Sequence, residues 1–125
     1  MNEIKLVTAT IAAATLLREL IHAHGELMFH LSGEHGDGSA PMCYVQGEHK
    51  INERDLRLGE IEGCPFFIEK DLYKDWSHSH LIIDVVEGHS SGFSIESPRG
   101  VRFIIKSRLF TIEELEKVKK QQVLL

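Results

Sequence analysis

At 125 residues and 42% hydrophobic content the chain is long enough to bury one core and too short for two, so a single domain over residues 1–125 is expected. A net charge of -5, with Lys and Arg scattered along the chain, excludes the basic footprint of a nucleic-acid binder or a protein held on an anionic membrane. No apolar run approaches the roughly 20 residues of a membrane span, the Ala-rich run from Ile11 to Leu17 passes directly into Arg18 and Glu19, and two cysteines are too few for a secreted disulfide scaffold, which together point to a reduced, cytoplasmic protein.

In chain order, Thr8 and Thr10 offer capping hydroxyls ahead of Ile11-Ala12-Ala13-Ala14, and Leu16, Leu17, Leu20 and Ile21 follow at helical spacing until Gly25 supplies a stop. This is an amphipathic helix with His22 and His24 at its C-terminal end, where the dipole favours imidazole caps. Leu27-Met28-Phe29-His30-Leu31 reads as a strand, and Tyr44-Val45-Gln46 as a very short one. Leu56 to Ile61 alternates as a half-buried strand, and with Cys64-Pro65-Phe66-Phe67-Ile68 across Glu62-Gly63 it predicts a hairpin. Asp71 to Trp76 predicts a helical turn with Leu72, Tyr73 and Trp76 on one side, followed by a strand from His80 to Val86. Phe93-Ser94-Ile95-Glu96 alternates and predicts a strand pairing antiparallel with Val101 to Ile105 across Pro98-Arg99-Gly100. Thr111 with Glu114 three residues on forms a capping box that opens a C-terminal helix. Consecutive strands with a helix at each end specify an α+β domain with a mostly antiparallel or mixed sheet.

The chemistry concentrates between Leu27 and Cys43, where a strand enters a glycine-rich turn carrying Glu34, His35 and Asp37 and leaves through Pro41. His30, His35 and Cys43, with Asp37 between them, are donors suited to Zn or Fe(II). No paired Cys-x-x-Cys accompanies them, and the same residues also fit a plain turn with Cys43 packed as a small hydrophobe. His78 and His80 would share a strand face, and with Trp76 they are expected either to complete one pocket with the loop or to cap the turn before the strand. The loop lacks the Lys-Ser/Thr ending of a phosphate loop, and Glu34 and Asp37 would repel phosphate. No catalytic constellation is evident: Glu60, Glu62, Asp84, Glu87 and Glu96 fit solvated strand faces or turns. A disulfide between Cys43 and Cys64 is left open by the sequence.

Two resemblances rest on these motifs. Leu27-Met28-Phe29-His30, Ser32-Gly33, Asp37-Gly38-Ser39, Pro41-Met42-Cys43-Tyr44, Leu58-Gly59-Glu60-Ile61, Trp76 with His78, Leu81 to Val86 and Gly100-Val101-Arg102-Phe103 resemble the family called domain of unknown function 779. Its members are small bacterial proteins often encoded beside aldehyde dehydrogenases, which implies an accessory role to such an enzyme as partner. More distantly, the helix ending at Gly25, the Ser-Gly turn, Ile83-Asp84-Val85-Val86-Glu87, Gly92-Phe93-Ser94-Ile95, Pro98 and Phe110 are similar to the HesB-like A-type iron-sulfur carriers, implying a compact β-rich fold that commonly self-associates. His35 and Gly36 stand where the first family typically carries a Cys-Cys pair, and Ile104-Ile105-Lys106 where the carriers close on Cys-Gly-Cys. With those thiolates missing, an iron-sulfur cluster is not expected.

The expectation is therefore a HesB-like binding or accessory module that assists an aldehyde dehydrogenase through a metal ion at His30, His35 and Cys43, with Asp37, Trp76, His78 and His80 around it. The alternatives are a small thiol-dependent enzyme or redox protein using Cys43, and a pure interaction module. Exposed strands in a small β-rich domain add a homodimer to the expected partners.

Overall fold

The computed structural model describes residues 4–32, 39–88 and 94–123. Among these residues, seven strands and three helices run in the order β1 (Val7–Ala9), α1 (Ile11–His24), β2 (Leu27–Leu31), β3 (Met42–Val45), β4 (Asp55–Ile61), β5 (Cys64–Glu69), α2 (Lys70–Trp76), β6 (Ser79–Glu87), β7 (Val101–Leu109) and α3 (Ile112–Val123), with a short 3-10 turn at Ser97–Arg99 before β7. The strands form a three-stranded sheet, β1-β6-β7, and a four-stranded sheet, β3-β2-β5-β4. β1 lies parallel to β6 and β2 parallel to β5, while the other pairings are antiparallel, so the protein is α+β with mixed sheets.

Local chemistry explains most elements. The Thr10 hydroxyl accepts the Ala13 N–H (3.2 Å) at the start of α1, and Gly25, at φ 90°, ends the helix with its N–H on the Ile21 carbonyl. Thr8 turns instead to β6, where its hydroxyl meets His80 Nε2. The β4–β5 hairpin turns at Glu62 (φ 51°) and Gly63 (φ 82°), as the Glu-Gly step predicts. A bulge between Arg57 and Gly59 shifts its register. At α3 the capping box closes reciprocally, Glu114 N–H on Thr111 Oγ1 (3.1 Å) and Thr111 N–H on Glu114 Oε1 (2.9 Å).

Three strand expectations change. β1 was not expected; three residues cannot signal a strand by period, and it forms because β6 offers its edge along Leu81–Ile83. The short strand expected at Tyr44-Val45-Gln46 begins earlier, at Met42. The strand expected over 93–96 is absent: Phe93 lies outside the described residues, and Ser94–Glu96 is a turn, while β7 pairs with β6 instead. Glu96 is turned inward and is 0% exposed, so its alternation with Ile95 does not report a solvated face.

One apolar cluster fills the space between the sheets and under α1 and α2. At its centre the Phe29 ring meets Phe66 of its own sheet (5.9 Å between centroids) and, edge to face, Phe103 of the other (5.1 Å, 82°). The sheets also meet along two seams. At one, β1 lies against β4, with Val7 beside Gly59. At the other, the Ser94–Glu96 turn bridges β3 and β7. Ser94 Oγ accepts the Cys43 N–H (2.9 Å) and donates to Glu96 Oε1, the Cys43 carbonyl accepts the Ile95 N–H (2.9 Å), and Glu96 Oε2 accepts the Phe103 N–H (3.1 Å). Beside it, the Ser39 carbonyl accepts the Ile105 N–H (2.7 Å).

Candidate functional site

Register decides which of the expected ligands can meet. Phe29 pairs with Cys43 across β2 and β3, so both side chains enter the core; His30, the next residue, pairs with Met42 and turns to the outer face. His30 and Cys43 therefore lie on opposite faces of one sheet and do not converge. His35 and Asp37 lie outside the described residues.

The inner face holds both thiols. Cys43 is 0% exposed and Cys64 is buried, and both are free. They share a face but stand on β3 and β5 with β2 between them, about 10 Å apart at the usual strand spacing, too far for a disulfide. Burial, the nearby Glu96 carboxyl group and Cys64 push the Cys43 thiol far above its ordinary pKa. Burial also raises Cys64. Neither cysteine is set up as a thiolate nucleophile.

The outer face holds the polar cluster. His30, itself buried, places Nε2 2.8 Å from Asp55 Oδ1, and that carboxylate is 0% exposed in its side chain. Asp55 Oδ2 accepts the Asn52 N–H (3.1 Å). Burial works against the Asp55 charge, but the Asn52 N–H and His30 outweigh it and hold the carboxyl below its usual pKa. A carboxylate accepts only, so Nε2 carries the proton toward Asp55, and Nδ1, which has no partner among the described residues, is the nitrogen left with a lone pair to offer. The His49 ring lies 4.5 Å from the His30 ring, tilted 46°, and stacks flat on Tyr44 at 4.8 Å. Burial and the neighbouring His30 lower the His49 pKa, against a smaller opposing pull from Asp55. Two adjacent imidazoles with a buried carboxylate behind one of them can accept a proton or donate nitrogen lone pairs to a ligand.

Nothing in the local sequence singles out Asp55 or His49. The alternation Asp55-Leu56-Arg57 puts Asp55 on a polar face, but its approach to His30 depends on the parallel β2–β5 pairing, which local pattern does not reveal.

The remaining expected residues do not join this cluster. Trp76 belongs to the core, and its indole N–H is buried without a partner among the described residues. His78 is exposed on the turn before β6, with Nδ1 3.5 Å from Ser77 Oγ. His80 is buried in the other sheet, where Nδ1 donates to the Lys5 carbonyl (2.9 Å), Nε2 accepts from the Thr8 hydroxyl (2.8 Å), and Phe110 meets the ring edge to face. His78 and His80 thus stand in different settings, the first exposed on the turn before β6 and the second buried on β6, where it ties down the N-terminal segment. Among the described residues, no group of three or more His, Cys, Asp and Glu gathers as a metal cage. No helix among them is long and apolar enough to cross a membrane.

Comparison with known proteins places a family model described as domain of unknown function (DUF779) on residues 16–109. No curated protein matches the chain. Among solved structures, Escherichia coli SufA, described as involved in biosynthesis of iron-sulfur clusters, is similar at 19% identity over 82% of this chain and 84% of that one, with a TM-score of 0.45.

Proposed function

Since the chain belongs to the DUF779 family, whose description assigns no activity, we propose from its own geometry that it is a binding and accessory module working through the outer face of the four-stranded sheet around His30. The observation that carries this reading is the buried His30–Asp55 pair with His49 against it, on the face opposite the two cysteines. A thiol-dependent enzyme built on Cys43 is the weaker reading: its thiol is enclosed by Phe29 and the Ser94–Glu96 turn and is held protonated. The partner we propose is an aldehyde-oxidising dehydrogenase, supported by the family resemblance alone.

The test is dehydrogenase turnover with and without the protein. Wild-type protein and the Cys43→Ala variant are expected to change turnover alike, and His49→Phe to lose the effect. Loss of the effect in a folded Cys43→Ala protein, with His49→Phe unaffected, would move the function to the thiol.

A further inference from the structure

We propose that His30 and His49 form an open binding site for a borderline divalent metal ion such as Zn(II) or Fe(II), with Asp55 orienting His30 from behind. This names the ligand class for the face assigned above and rests on that reading.

Three observations carry it. The first is the His30–Asp55 hydrogen bond of 2.8 Å to a carboxylate whose side chain is fully buried. An imidazole that ligates a metal through one nitrogen commonly donates its other N–H to a carboxylate, which fixes the tautomer and aims the free nitrogen. Asp55 is itself fixed by the Asn52 N–H, so the arrangement is supported through two layers. The second is the distance between the imidazoles. Metal–nitrogen bonds of about 2.0–2.1 Å at a tetrahedral angle put two ring centroids about 5 Å apart, and His30 and His49 stand at 4.5 Å. His49 stands in the connection between β3 and β4, outside any strand. The third is the donor count. No third His, Cys, Asp or Glu joins them among the described residues, so water or a ligand from a partner would fill the other positions. Catalytic zinc sites carry three protein donors and one open position and structural ones four, so a two-imidazole site leaves at least two positions to water or to a partner's donors.

Cys43 has no place in this site, because it faces the core from the other side of β2 and β3. The site therefore keeps His30 from the sequence expectation and replaces the cysteine with an imidazole.

Titration of the full chain with Zn(II), and with Co(II) as a spectroscopic probe, tests the assignment. One metal per chain is expected, with cobalt bands of nitrogen and oxygen ligation. His49→Phe retains a ring to stack on Tyr44 and should weaken uptake by at least about tenfold, and Asp55→Asn by about 10–100-fold. Cys43→Ala and the surface double variant His22→Ala with His24→Ala should bind as wild type. Should His30→Ala fail to fold, His49→Phe still decides the outcome. Wild-type affinity in His49→Phe, a thiolate-to-cobalt charge-transfer band, loss of uptake in the His22/His24 variant, or no stoichiometric metal at neutral pH would each overturn it. A dehydrogenase effect that survives without any metal uptake overturns this assignment alone. Metal uptake without any dehydrogenase effect overturns the partner reading alone.

Discussion

Single side chains in this protein are governed more by what surrounds them than by their type. Glu96 is the clearest case: its carboxyl group is fully buried and collects the Ser94 hydroxyl and the Phe103 N–H, one on each oxygen. Glu96→Ala leaves both donors unpaired in the core and should cost on the order of 3 kcal/mol, seen as a melting temperature lower by about 10 °C. A change within a degree would show that solvent reaches the turn. His80 supplies a pH dependence. Burial lowers its pKa below 6.5; the Lys5 carbonyl and Glu114 oppose this, and Arg108 adds to it. The folded protein then binds fewer protons at His80 than the unfolded chain does, so its contribution is present above pH 6.5 and is lost as pH falls through the lowered value. Denaturation midpoints measured between about pH 7 and 5 should fall more steeply for wild type than for His80→Gln, and parallel curves would remove His80 as the cause. These environments are not legible in the sequence. Glu96 sits in an alternating stretch that resembles a solvated strand, and only the distant Phe103 and Cys43 reveal why it turns inward.

Elements were legible where their signals are local. The α1 cap, the Glu62-Gly63 hairpin, the Leu72 and Trp76 face of α2 and the Thr111–Glu114 box all depend on residues within a few positions of each other. β1 and the parallel β2–β5 pairing were not, because each joins segments far apart in the chain, and the site inherits that limit: His30 was visible, while Asp55 and His49 reach it only through the sheet. Thr10 shows how one residue serves two elements. Its hydroxyl caps α1 and donates to Asp84 Oδ1 on β6 (2.8 Å), where Lys106 also bonds the carboxylate. Thr10→Ala should therefore destabilise by about 1–2 kcal/mol, at the upper end for a lost cap. Urea denaturation measures it, and a loss below about 0.5 kcal/mol would mean that the β6 contact adds nothing.

For the whole molecule, one core joins both sheets, from Leu17 and Leu20 on α1 to Phe103 and Ile105 on β7. Trp76, the sole tryptophan, lies in that core on α2, between β5 of one sheet and β6 of the other. Its fluorescence change and the loss of far-ultraviolet circular dichroism should coincide in a single denaturant transition. Separate midpoints would divide the protein into two folding units. The seam built by Ser94 and Glu96 bears on a different property, the protein's resistance to misassembly. Exposed strand edges recruit further strands through unpaired N–H and C=O groups, the first step toward fibrils and swapped chains. Here Cys43 on β3 and Phe103 and Ile105 on β7 already spend those groups on the Ser94–Glu96 turn and on Ser39. The buried glutamate is thus also a guard on two edges, and a chain that loses it should become prone to aggregate before it becomes unable to fold.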